Sequence, residues 1–323
     1  TLINFAEKIS SFSSPLAVGM SGNFRQMKRR ILNIAVFRKE TLYQKMRALI
    51  IYLVISAVFI GCTPILSIDA STQSVYHFSD TDKNISLLDI SETFGTYDGS
   101  FVLYDNNLDS WKIYDLEEAT KRIPPESTYK IYDALLGLES GIITPEHSSM
   151  TWNGDAFPFP SWEADQDLNS AMQNSVNWYF QAIDSQLGIN RVQGFLNKIE
   201  YGNQTTSSNL DLYWSDFSLK ISPLEQVTLL KKFNTNEFHL NSQNVFSVKN
   251  AIKIASTPNG NFYGKTGTGR VNGQDINGWF IGYVETSDNS YYFATNIQSD
   301  SNATGKKAFE ITSDILKKLH IWN

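Results

Sequence analysis

"PPESTYKIYDALLGLESG", residues 124–141, opens on two prolines and carries apolar residues at helical spacing to a closing glycine. Proline in a first turn and glycine just past the end delimit a helix. The unusual feature is Ser127 and Lys130, three residues apart at its start and so on one face. In the plain reading Ser127 caps the helix and Lys130 is solvated. In the chemical reading Ser127 is a nucleophile: a serine hydroxyl reacts poorly at neutral pH without an adjacent base, and a neutral lysine amine one turn away supplies one. The rest of the chain decides between the two.

Two further motifs follow. Ser175-Val176-Asn177 comes 48 residues after Ser127, inside the helical pattern of 165–200. Lys265-Thr266-Gly267, followed by Thr268-Gly269, lies on a strand-like stretch, "NFYGKTGTG". Each motif is common alone; three in this order are not. An unperturbed lysine has a pKa of about 10.4, so Lys130 needs burial and a second cation to become a base, and Lys265 is the candidate cation. Ser175 is placed to pass a proton to a leaving nitrogen, and Asn177 to bind both Lys130 and a ligand amide. Lys265 and Gly267 share one side of their strand, and the glycine leaves that side open to a ligand backbone.

The set S-x-x-K, S-x-N and K-T-G resembles the serine acyl-transfer machinery of penicillin-binding proteins and serine β-lactamases, over roughly residues 80 to 320. Tyr201-Gly202-Asn203, Trp214 and the strand "NGWFIGYVET" (277–286) are similar to features of class D β-lactamases. The resemblance implies an α/β sandwich, an antiparallel sheet with helices on both faces. It implies Ser127, Lys130 and Ser175 as catalytic residues, and Asn177, Tyr201, Trp214, Lys265, Thr266, Gly267 and Thr268 as ligand-binding residues. The backbone N–H groups of Ser127 and Thr268 would form an oxyanion hole, and the tryptophan would shelter a carbamate on Lys130. The order of elements agrees with that fold. "GSFVLYD" and "SWKIYDL" read as a hairpin around "NNLD", helices follow at 167–199 and 222–233, and strands return at 261–298 before a last helix, 305–319.

Charge and hydropathy give the organisation. Residues 1–47 hold nine Lys or Arg and two acids, leaving 18 basic and 31 acidic residues beyond them. A basic arm suits nucleic acid, but residues 48–68, "ALIIYLVISAVFIGCTPILSI", run 21 residues without a charge, enough to cross a bilayer. The basic cluster ahead of this span puts 1–47 in the cytoplasm and the acidic bulk outside. The expected organisation is therefore a cytoplasmic segment 1–47, a transmembrane helix 48–68, a polar linker 69–80 and an extracellular domain 81–323, with no direct nucleic-acid partner. A rival reading takes Met46–Cys62 as an export signal ending at a lipid-modified cysteine. The chain begins at Thr1 and reads as the C-terminal part of a longer protein. Cys62 is the single cysteine, so no disulfide framework exists. The four histidines, His77, His147, His239 and His320, are scattered, and no metal or cofactor site is visible.

One departure bears on function. Asn177 stands where class D enzymes carry a small apolar residue, and an asparagine amide competes for the lysine that must hold the carbamate. Without that carbamate an acyl-enzyme persists. The whole pattern is similar to membrane-bound β-lactam sensor-transducers, which pair a class D-like outer domain with membrane helices and a cytoplasmic zinc protease region that acts on a repressor. A class D-like hydrolase and a D,D-transpeptidase remain the alternatives.

Overall fold

The computed structural model describes residues 74–79, 81 and 83–323; the basic segment 1–47, the uncharged span 48–68 and Cys62 lie outside the described residues. A seven-stranded sheet forms the centre, in the order β1-β3-β2-β7-β6-β5-β4. Its strands are β1 (Asn84–Leu87), β2 (Asp98–Asp105), β3 (Ser110–Tyr114), β4 (Lys253–Thr257), β5 (Gly260–Val271), β6 (Gln274–Thr286) and β7 (Ser290–Gln298). The two ends of the domain meet where β2 pairs with β7.

The sheet is antiparallel except at one edge, where β1 runs parallel to β3. That strand and the opposite edge, β4, have no counterpart in the sequence reading. Both are short and mostly exposed, so neither carries the apolar alternation that betrays a half-buried strand.

Period-2 alternation sends the central strands' side chains into two cores. Val102, Tyr104, Trp279, Ile281 and Tyr283 face the larger one, while Phe101, Leu103, Phe280 and Val284 face the other. The smaller core is closed by α9 (Gly305–Lys318), through Ala308, Ile311, Ile315 and Leu316. The larger is covered by α3 (Lys130–Glu139), α5 (Asn177–Leu187), α6 (Ile189–Ile199), α7 (Pro223–Asn234) and α8 (Ser242–Ala251). Two short helices, α1 (Ser91–Phe94) and α2 (Leu116–Thr120), flank the first strands. Helices on both faces of the sheet are the architecture that the sequence implied.

Two expected helical stretches are divided. The stretch 124–141 starts as a 3-10 turn, Glu126–Tyr129, before α3 begins at Lys130. The stretch 165–200 divides into α4 (Leu168–Gln173), α5 and α6. The breaks fall at Ser175, with φ 55°, and Gly188, with φ 74°. A left-handed residue cannot continue a right-handed helix.

Part of the expected linker is bonded to the domain. Tyr76 N donates to Thr120 O (2.8 Å) and Arg122 N to Ser74 O (2.8 Å), while the Phe78 ring lies 5.3 Å from Trp111. Immediately afterwards Ile123 and Ile221 exchange backbone hydrogen bonds, and the chain enters the turn that carries Ser127.

Candidate active site

The turn around Ser127 is clamped from several elements. Glu126 N donates to Trp214 O (3.0 Å). Asn277 Nδ2 and Trp279 Nε1, both on β6, donate to Pro124 O at 3.1 and 2.9 Å. Thr128 Oγ1 donates to Pro125 O (2.6 Å) and accepts from Gln226 Nε2 of α7 (2.9 Å). Glu126 sits at φ 53°, a strained value for a residue with a Cβ, and these bonds hold it there.

Strand β5 lies directly against the turn, and two glycines permit it. A Cβ at Gly267 would stand 3.1 Å from Pro125 O and 3.3 Å from Ser127 N, and one at Gly269 would run into the Glu126 carboxyl. The absent side chain at Gly267 therefore serves close approach to the nucleophile turn, rather than the open ligand space expected from sequence, although Gly267 does line the cleft.

Lys130 is fully buried. Its Nζ lies 2.8 Å from Ser127 Oγ and donates to Asn177 Oδ1 at 2.6 Å. Apolar walls stand on either side, with the Phe180 and Trp214 ring centroids 5.7 and 5.9 Å away. Burial, reinforced by the charge of Lys265, holds the Lys130 amine well below the usual lysine range. Across the cleft, Lys265 Nζ donates to Ser175 Oγ (3.0 Å) and to Thr266 O (2.9 Å). Burial brings Lys265 down to about 7. Ser175, at its left-handed position, lines the same cleft as Ser127 and Asn177, so the Ser127–Lys130–Asn177 group and the Ser175–Lys265 pair face one space.

That cleft, of about 400 Å³, is lined by Ser127, Ser175, Asn177, Thr266, Gly267 and Thr268, with Phe159, Trp162 and Arg270 at its sides. Thr268 Oγ1 accepts from Gly305 N at the start of α9 (2.8 Å). The hydroxyl proton is left to donate toward the cleft.

Tyr201 and Trp214 do not line the cleft. Tyr201 is buried beneath it, its ring 5.2 Å from Tyr129 and 5.1 Å from Tyr132. Gly202 and Asn203 fasten a turn: Asn203 Oδ1 accepts from Lys220 N (2.9 Å), and a Cβ at Gly202 would strike Lys220 O. Trp214 supports the site from behind as a wall of the Lys130 pocket and an acceptor for Glu126 N. Sequence reasoning missed Phe159 and Trp162, which lie in a segment without periodicity, and Glu126, whose only signal is its place next to Ser127.

Glu126 is buried, and burial raises its carboxyl to about 8, against an ordinary 4.5. The folded chain thus keeps a proton that the unfolded chain releases, so stability falls as pH rises from about 4.5 to about 8, by at most ~1.4 kcal/mol per pH unit. Glu126→Gln is expected to flatten this slope. Denaturation midpoints at about pH 5 and pH 7.5 measure it, and equal slopes for both proteins would show that Glu126 ionises normally.

Comparison with known proteins points to one family. The family described as the penicillin-binding protein transpeptidase domain matches residues 96–317. The regulatory protein BlaR1 of Bacillus licheniformis is 42% identical over 325 residues, covering 99% of this chain and 53% of that protein. The probable beta-lactamase YbxI of Bacillus subtilis is 37% identical over 235 residues, covering 73% of this chain and 86% of the relative. The solved C-terminal domain of the Bacillus licheniformis BlaR penicillin-receptor superposes with a TM-score of 0.73 at 45% identity, over 75% of this chain and 99% of that one. The chain spans about half the length of regulatory relatives such as BlaR1. By motif, fold and match, the chain belongs to the penicillin-binding protein transpeptidase domain family, on its class D β-lactamase-like side.

Proposed function

We propose that this chain is the β-lactam-sensing part of a sensor-transducer, acylated at Ser127 and slow to release the acyl group. Ser127 Oγ attacks the lactam carbonyl, its proton passes to Lys130 Nζ, and the C–N bond of the ring opens. Ser175, hydrogen-bonded to Lys265, hands a proton to the freed nitrogen, which stays attached to the acyl group. The N–H groups of Ser127 and Thr268 receive the developing oxyanion. Lys265, Thr266 and Thr268 hold the ligand carboxylate and amide as charge-assisted donors.

One observation favours a sensor over a hydrolase: Asn177 Oδ1 sits 2.6 Å from Lys130 Nζ. A carbamate on Lys130 would be the base for deacylating water, and the asparagine holds the nitrogen that must carry it. Similarity to BlaR1 and to the BlaR penicillin-receptor domain supports the same reading. The test is intact mass of the chain for hours after a single dose of benzylpenicillin. A lasting mass increase of one penicillin is expected, and return to the free mass within minutes would assign it to the hydrolases.

Lys265→Ala is expected to slow acylation by about 10²-fold, a typical cost for one proton-transfer or charge-stabilising group, while deacylation changes less. Labelling rates at several penicillin concentrations check this, and an unchanged rate would place the carboxylate elsewhere.

We place residues 48–68 across the membrane, 1–47 in the cytoplasm and 81–323 outside. By the resemblance to sensor-transducers, the signal would reach a zinc protease region of the longer protein and then a repressor. The bonded stem supports a route: Arg122, which pairs with Ser74, lies five residues before Ser127 in the chain. A full-length protein carrying Ser127→Ala should fail to induce a resistance reporter on exposure to penicillin. Normal induction would refute the transducer.

A further inference from the structure

Behind Lys130, on the side away from the cleft, two carboxyl groups are buried together. Asp133 belongs to α3 and Asp184 to α5, helices that pack on each other, and neither residue is exposed at all. Each carboxyl is the other's polar neighbour, and the Tyr213 hydroxyl is the next one to Asp184. Among the described residues none of the four carboxyl oxygens has a partner at full hydrogen-bond geometry, and the Tyr213 hydroxyl is the donor near enough to favour a charged Asp184. The surroundings are otherwise aromatic: the hydroxyls of Tyr129 and Tyr213 are buried beside the pair.

Two carboxylates cannot both stay ionised in such a place. Burial without donors costs several kcal/mol per charge, and like charges add to it. A proton held between the two oxygens answers both problems, since it turns one acceptor into a donor and removes one charge. The charge that remains has a cation within reach. Lys130 lies three residues before Asp133, on the same face of α3, and the two side chains attract each other electrostatically.

We propose that Asp133 and Asp184 hold one proton between them, and that the single negative charge they keep is a positioning group for Lys130, setting how much of that lysine is free amine. The inference deepens the acylation reading and rests on it, because a free amine at Lys130 is what deprotonates Ser127.

The groups acting on Lys130 can be named. Lys265 favours its neutral form; Asp133, and Glu126 once ionised, favour its charged form. Asp184 itself feels the Tyr213 hydroxyl, Asp133 and the charge of Asp211. Removing the carboxylate at 133 takes away an attraction that only the ammonium enjoys, so the lysine loses its proton at lower pH. Removing the carboxyl at 184 leaves Asp133 as the sole bearer of the charge, closer to Lys130, so the lysine holds its proton to higher pH. Opposite signs from two isosteric changes distinguish this arrangement from a general loosening of the core, which would move both the same way.

The experiment is a nuclear magnetic resonance titration of the full chain labelled with ¹³C at lysine Cε, with the Lys130 signal assigned by its loss in Lys130→Met. Asp133→Asn should move the Lys130 titration about one pH unit toward acid, the lower end of what a neighbouring opposite charge does. The acid limb of the benzylpenicillin acylation profile should move with it. Asp184→Asn should move the titration toward base. A Lys130 titration that stays in place in Asp133→Asn overturns the proposal. Should Asp133→Asn fail to fold, Asp184→Asn decides alone, and no shift or an acid shift overturns it. The titration needs no antibiotic, so its failure is separate from a failure of Ser127 to be labelled.

Discussion

Lys130→Met should leave the domain folded and slow acylation of Ser127 by about 10³-fold, the middle of the range for a lost general base. The structure argues for both halves. Lys130 is fully buried, and among the described residues its amine meets only a serine hydroxyl and an asparagine oxygen within hydrogen-bond distance. Among the described residues no carboxylate pairs with it directly, so burial makes the charged form costly and draws the amine toward its basic form. Methionine has nearly the same length, packs against Phe180 and Trp214, and brings no charge into the core. Stability should therefore hold or rise, at the cost of one unpartnered Asn177 oxygen. Chemistry should collapse, because Lys265 Nζ is engaged with Ser175 and Thr266 and cannot replace it. Labelling by a fluorescent penicillin, with a urea midpoint on the same protein, gives both quantities. Labelling within tenfold of the unmodified chain would mean that Ser127 is deprotonated by another group.

The central strands were legible because each buries two faces, and their apolar runs ended at recognisable turns. The sheet edges were not, since β1 and β4 are exposed and pair by backbone alone. The three motifs were legible as residue types at fixed spacings, yet their geometry depends on features that spacing hides. Ser175 reaches Lys265 because the chain turns left-handed there, and Gly267 matters for what lies behind it as well as for the cleft. Tyr201 and Trp214 were marked by resemblance to class D β-lactamases, and the sequence could not say that they face inward. Asp133 and Asp184 are 51 residues apart, and only the packing of α3 on α5 makes them one group.

Asn177→Val should shorten the life of the acyl adduct by about 10²-fold, the lower range for gaining a working general base. Asn177 begins α5, and its side chain lies between Lys130 and the cleft. While its oxygen accepts from Lys130 Nζ, that nitrogen is tied in place and partly stabilised as an ammonium, which cannot add CO₂. Valine removes the acceptor and leaves an amine walled by Phe180 and Trp214. The free amine can then attack CO₂: a new N–C bond forms, one proton departs, and the resulting carbamate carboxylate stands near the ester of acylated Ser127. There it can take a proton from an incoming water. Acylation itself should change little, since Ser127 keeps its base. The decay of the adduct mass measures the lifetime, and ¹³C-bicarbonate with carbon resonance spectroscopy detects the carbamate. A carbamate signal with an unchanged lifetime would show that something other than Lys130 limits water attack. An unchanged lifetime without that signal would show that Asn177 is not what keeps Lys130 from reacting.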